Sequence, residues 1–431
     1  MQTKSNKVLS VLVLCFYMFA LGSFGIRARW IFGLTLVLSV LNACLYRTIR
    51  IVYLGRLKKR WVILYIVLIL LIALPNARRG SDVINFAIFV SIVTFSCIIA
   101  KTNVEEIIHL FNIIITAAIF FSVYISFFRI FPGLYKSTIY RLLDGSVKST
   151  YDYAIRFGYG FPIGNGYTFA DSAIVMGVYA IIGKDLSEGE KNIKNKLMLV
   201  IMFAGVLLEG RKGELLSCVI TVIFLYYIGS DRSLKRLITR LMYIILAIII
   251  GVVVIKNFSN AGLLQRFTVM FERILMSREG QSVDFTSGRM ELWEIAFNLF
   301  KDNPIVGIGW GKFANYVEGT YNASLDTQGL KHAHNVPLQF LCDSGIIGTT
   351  LISVPVIGIA RYLFRNANYR HKNNQEGLEK VISIFSAGIM FYTIILSFVD
   401  PNFYGQYYWY MLAIVVIISE FNIIFQSQNT F

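Results

Sequence analysis

KHAHNVPLQFLCDSGIIGTT, residues 331–350, ends a long hydrophilic segment and opens an apolar helix. His334 and Asn335 stand at that threshold, which places a titratable group at the edge of an apolar phase. Pro337 suits the first turn of a helix. Asn335, Gln339 and Asp343 then recur at i, i+4 and i+8 as one polar stripe running down from the mouth. That stripe could orient a substrate or tune the histidine, and a hydrogen bond to a neighbouring helix accounts for it as well. Gly345 and Gly348 read as positions of close helix packing.

Outward from this helix, apolar blocks of spanning length recur along all 431 residues, of which 56% are hydrophobic and 15% charged. That composition excludes an ordinary soluble domain and predicts an all-α polytopic membrane protein. About twelve transmembrane helices are expected, at 8–24, 30–46, 61–74, 83–100, 107–129, 162–183, 195–209, 213–229, 241–256, 335–360, 381–399 and 408–426. No linker or shift of composition sets off a soluble unit, so 1–431 reads as a single integral membrane domain. The first apolar run has no small-residue cleavage site after it and reads as an uncleaved helix. Cys15, Cys44, Cys97, Cys218 and Cys342 fall inside apolar spans without metal-ligand spacing, as small hydrophobes do.

The net charge of +16 would suit nucleic acid if the cations formed one patch, but they gather in loops on one side of the membrane. Arg47, Arg50, Arg56, Lys58, Lys59 and Arg60 form one carboxylate-free loop, and Arg232, Lys235, Arg236 and Arg240 another. This positive-inside asymmetry puts both termini in the cytoplasm and two segments outside: residues 130–161, and the large loop 257–333. The first holds Tyr135, Tyr140, Tyr151, Tyr153 and Tyr159, a set suited to an interfacial belt or to stacking on sugar rings. In the second, Ser287 could cap an amphipathic helix with Met290, Trp293, Phe297 and Phe300 along one stripe, stopped at Asn303-Pro304 and followed by the tight loop GIGWG, residues 307–311.

Candidate chemistry collects at this outer face. The short hairpin LEGRKGEL, residues 208–215, holds Arg211 and Lys212 at the hydrocarbon edge, where an ionisable group is a functional candidate, the alternative being snorkelling or pairing with Glu209 or Glu214. A guanidinium stays protonated and its planar fork matches phosphate oxygens, so Arg211 suits binding a diphosphate. Arg289 occupies the first turn of the amphipathic helix, where backbone donors also favour an anion. Arg278, Lys312 and Lys331 have weaker claims. His334 has the side chain suited to a general base near neutral pH. His332 and His334 lack a third imidazole on that face, so no metal and no cofactor are expected.

From His334-Asn335, nine residues lead to Gly345-Ile346-Ile347-Gly348, and this HNx9GxxG spacing resembles that of the O-antigen polymerase and ligase superfamily. A Gly-Arg pair after an outward hairpin and the stretch RMELWEIAFNLFKDNPIVGIGWGKF, residues 289–313, extend the resemblance over 197–363. It implies a C-type glycosyltransferase fold and a metal-independent glycosyltransferase using an undecaprenyl diphosphate-linked glycan donor. Arg211 and Arg289 fall where the family places diphosphate-binding arginines, and His334 where it places the acceptor-activating base. Lys212, Asn335, Gln339 and Arg278 are the accompanying substrate-binding candidates.

The resemblance leads to a polymerase of O-antigen, capsule or exopolysaccharide repeats on the outer face of the bacterial cytoplasmic membrane. The alternative is an O-antigen ligase, which differs only in acceptor: lipid A core or another molecule. Abundant Lys, Ile and Asn suggest a low-GC genome, and in a Gram-positive cell no lipid A core would exist, which favours the polymerase. A chain-length regulator and a flippase of the same pathway are the protein partners implied. A flippase is itself a third reading, but it predicts repeated halves and mid-membrane charges, whereas the informative polar groups here collect at one mouth.

Overall fold

A computed structural model describes residues 123, 127–128, 130–142, 145, 148, 152, 212–229, 238–239, 242, 245–246, 249, 253, 289–309, 312–320, 332–372 and 378–399. Among these the regular structure is helical throughout, with no strand. Among the described residues the helices with defined bounds are, in order, α1 (Pro132–Ser137), α2 (Ile139–Leu142), α3 (Lys212–Gly229), α4 (Arg289–Asp302), α5 (Phe313–Thr320), α6 (Val336–Lys372) and α7 (Leu378–Leu396).

The bundle that positions the site is built from α3, α6 and α7. Helix α7 is buried without interruption over residues 381–390, which makes it the central helix of this group. α3 runs antiparallel to it. Gly213, at the start of α3, lies against Val399 just past the end of α7, and eleven residues further along α3 Phe224 stacks on Phe391 with ring centroids 3.7 Å apart. Phe364 of α6 meets Phe224 edge-on at 5.4 Å and so ties the third helix in.

The buried face of α3 is Glu214, Ser217, Cys218, Thr221, Leu225 and Ile228, a spacing of one residue every three or four. Its other face stays apolar and exposed at Leu216, Ile223 and Tyr227, as α6 does at Val354 and Ile357. Met242, Ile245, Leu246, Ile249 and Val253 repeat this on the helical residues of the predicted 241–256 span, as does Ile238 just before it. Helices apolar on their outer faces suit a hydrocarbon surround rather than water. Val336–Asn368 is long and apolar enough to cross a membrane.

Two expectations are corrected. The stretch 335–360 is not one uninterrupted helix: Gly345 has φ 62° and ψ −166°, so α6 breaks into a short first half and a long second half. On α4 the packed stripe is Leu292 and Ala296, flanked by Trp293, Ile295 and Leu299, while Met290 and Phe297 are exposed. α4 carries apolar residues on two adjoining stripes, and periodicity alone does not choose which one meets α6. The predicted stop at Asn303-Pro304 is where α4 ends. Ser287 lies outside the described residues.

In the first outward segment Tyr135 is buried, its ring edge-on to Phe128 at 5.2 Å, and is no part of an open stacking platform. Tyr140 donates a 2.9 Å hydrogen bond to Asp152, and this bond together with the carboxylate's charge pushes the phenol above its ordinary range. Tyr151, Tyr153 and Tyr159 lie outside the described residues.

Candidate active site

The first turn of α6 is fixed by its own sequence. Asn335 is the N-cap: its side-chain oxygen accepts the Leu338 N–H at 3.0 Å and its backbone carbonyl accepts the Gln339 N–H at 2.9 Å. Immediately before the cap, His334 takes φ 51°, the single positive-φ position among described residues other than glycine. Its Nδ1 atom is buried while the residue as a whole is partly exposed.

The preceding peptide groups are held on both sides. The Ala333 N–H donates to the Gln339 side-chain oxygen at 2.6 Å, and the Ala333 carbonyl accepts the indole N–H of Trp293 at 2.8 Å. Gln339 in turn donates to Asp343 at 3.1 Å. Gln339 and Asp343 are each at most 2% exposed, so the lower two residues of the polar stripe read from the sequence face the protein interior, while Asn335 at its head is partly exposed. Buried polar groups paired in this way carry little desolvation penalty, whereas loss of one partner exposes the other to it.

Three elements meet at the turn that follows α7. The Val336 N–H, at the head of α6, donates to the Ser397 carbonyl at 2.8 Å. Arg289, the first residue of α4, donates from its guanidinium to the Val399 carbonyl at 2.8 Å. Gly213 packs on the same valine, where an added Cβ would stand 3.0 Å from a Val399 methyl. Two residues of chain span at most about 7 Å, so these contacts share one small region. The Arg289 charge also sits at the C-terminal end of a helix, where exposed carbonyls favour a cation.

The HNx9GxxG residues acquire separate physical roles. At the Gly345 break the carbonyls of Cys342 and Asp343 accept the N–H groups of Ile308 and Gly309, both at 2.9 Å. The N–H groups of Ile346 and Ile347 donate to Pro304 and Ile305 at 2.8 and 3.2 Å. The loop after α4 thus replaces the hydrogen bonds that the helix interruption gives up. A Cβ on Gly345 would collide with the backbone of Ile305, and one on Gly307, at φ 72°, with the backbone of Ser344. Gly348 leaves room for the Ser344 side chain, which bonds back to the Phe340 carbonyl at 2.8 Å.

Of the residues singled out from the sequence, Arg289, His334, Asn335 and Gln339 are placed together by these contacts. Lys212 opens α3, whose start meets the same turn. Arg211 and Arg278 lie outside the described residues, as do Lys331 and Asp400. Among the described residues no three His, Cys, Asp or Glu side chains form a metal-binding group. Sequence reasoning missed the Ser397–Val399 turn and the role of Trp293. The turn had a signal in Asp400-Pro401, a pair that reads as a helix terminator, since the last carbonyls of a helix require donors from elsewhere.

The described residues therefore form a helical bundle with one helix long and apolar enough to cross a bilayer, and Arg289, His334, Asn335 and Gln339 gather where α4 and α6 begin. Residues 197–353 match the family model described as O-antigen ligase. This stretch holds Arg211, Arg289, His334, Gly345 and Gly348, and over it the resemblance to the O-antigen polymerase and ligase superfamily is shown. No curated protein matches the chain.

Proposed function

We propose that this protein is a metal-independent glycosyltransferase of the cytoplasmic membrane that joins lipid diphosphate-linked glycan repeats, acting as a polysaccharide polymerase. The observation that supports this reading is the convergence of three sequence-predicted elements on one turn. These are the helix that opens just after Arg211, the helix that begins with Arg289, and the helix entry that carries His334. The family match spans all three.

In the proposed reaction His334 takes the proton from the acceptor hydroxyl as its oxygen attacks the anomeric carbon of the donor. The bond from that carbon to the diphosphate oxygen breaks with inversion, and undecaprenyl diphosphate departs with the electron pair. Arg289 directs one donor to Val399, which anchors the guanidinium, and the remaining donors of its fork suit the diphosphate. Arg211 adds a second permanent charge, and Lys212 and Arg278 are further candidates for the anionic donor. Stabilising charge that grows on the leaving group lowers the barrier more than it tightens ground-state binding. Asn335 and Gln339, which have partners inside the protein, act on this reading by shaping the helix entry.

The test is reconstitution of the full chain in membranes with an undecaprenyl diphosphate-linked repeat, resolved by gel ladder. A ladder from the repeat alone that is lost in His334→Ala and Arg211→Ala is the expected result. A product formed only when lipid A core or another acceptor is supplied would make the protein a ligase. Undiminished transfer in both variants would overturn the assignment of the site.

A further inference from the structure

We infer that Trp293 and Gln339 are positioning residues that set the His334 side chain by holding the Ala333 backbone from both sides. The inference deepens the proposed glycosyl transfer and rests on His334 as its base.

His334 adopts a backbone conformation uncommon for any residue with a Cβ, and such a conformation persists where its surroundings over-determine it. The constraints lie on both flanks. Before His334, the two polar backbone groups of Ala333 are taken by Gln339 and Trp293. After it, Asn335 caps α6 and the Val336 N–H is tied to Ser397. Ala333 is fully buried, so no water competes for its N–H and carbonyl, and the two contacts define where the chain enters the turn. Gln339 is itself braced by Asp343, which leaves its amide little freedom to swing toward a substrate.

The origin of the two holding groups matters. Gln339 belongs to α6, so its bond closes a local loop back onto the helix entry. Trp293 belongs to α4 and stands one turn after Arg289, on the same side of that helix. One rigid turn of α4 therefore carries both the guanidinium proposed to bind the diphosphate and the indole that fixes the entry to His334. The separation of base and anion clamp is set by a helix turn, not by a flexible loop. Neither Trp293 nor Gln339 needs to touch the reacting atoms for its loss to slow the reaction, since a small misplacement of a general base lowers the rate steeply.

The experiment compares Trp293→Phe, which removes the indole donor and keeps an aromatic ring, Gln339→Met, which removes both side-chain bonds at similar length, and the double variant, all in the full chain. Two measurements are made: turnover and KM for the lipid-linked repeat, and the rate of diethyl pyrocarbonate labelling of His334 relative to His371 at the far end of α6, resolved by peptide mass. Trp293→Phe is expected to lose turnover by about five- to tenfold, the worth of one buried hydrogen bond, and Gln339→Met, which gives up two, by at least as much, with KM unchanged in both. His334 labelling rises several-fold, and the double variant loses less than the product of the two single losses because both act on one segment. A raised KM with turnover intact in Gln339→Met would make Gln339 a substrate contact and overturn the inference, as would unchanged His334 labelling in both single variants. If the wild type transfers no glycan, the proposed function fails, and the labelling rates still decide the positioning. Should Gln339→Met fail to fold, Trp293→Phe, which keeps an aromatic ring at that position, carries the test.

Discussion

The junction of α4 with the broken helix α6 and the seam between α3 and α7 are both close-packed, yet they are held by different forces. At the junction, irregular backbone from residues 304–309 exchanges four hydrogen bonds with the helix on either side of Gly345. Along the seam, the hydroxyls of Ser217, Thr221 and Thr393 turn back to carbonyls of their own helices at 2.7 Å each. The seam is thus packed by side chains, the stacked rings of Phe224 and Phe391 among them, and the junction is tied by directed backbone bonds. Directed bonds admit few alternative geometries. The candidate base is found at the directed end, where its position can be held closely, while the seam supplies the frame.

The sharpest way to break the junction is to place a methyl group where backbone already lies. Gly345→Ala and Gly307→Ala each combine a positive φ with a collision against main-chain atoms. A loss of ~3 kcal/mol or more is expected, read as failure to purify as a folded species in detergent. Gly358→Ala, on the same helix but facing open space, is the internal comparison and should be neutral or gain about 0.5–1 kcal/mol in thermal unfolding.

Next in size is His334→Gly, which separates the strain of the site from its use. Glycine accepts positive φ without a Cβ, so stability should rise by up to about 1 kcal/mol while glycan transfer falls by ~10²-fold or more. A variant that is both less stable and fully active would contradict the reading of this residue. Asn335→Ala removes the cap that starts α6 and should cost about 1 kcal/mol in thermal unfolding, with serine at the same position recovering most of it.

The smallest effects belong to the seam. Thr221→Val keeps the shape of a buried residue whose hydroxyl is bonded within α3, and less than ~1 kcal/mol should be lost. A large loss there would mean that the hydroxyl bridges helices, and the contrast between the two regions would weaken.

What could be read ahead of the structure divides along the same line. Asn335 before Pro337 announces a helix start, and Asn303-Pro304 a helix stop, because caps and proline act within a few residues. The position of His334 at that start was equally legible. Trp293 read only as one apolar residue in a stripe, since its bond to the Ala333 carbonyl joins positions 40 apart. The packed face of α4 was read one stripe over, because Leu292 and Ala296 compete with Met290 and Phe297 and only the partner helix decides.

By itself the sequence determined a strongly apolar chain that reads as helical, with polar candidates gathered near a few helix starts, since hydrophobic blocks, caps and breakers are local properties. The tertiary structure alone decided that α6 breaks at Gly345, that the loop after α4 fills the break, and that Arg289 reaches a carbonyl 110 residues away. Those outcomes depend on which distant backbone groups are left without a partner and which segment arrives to satisfy them, and no local pattern carries that information.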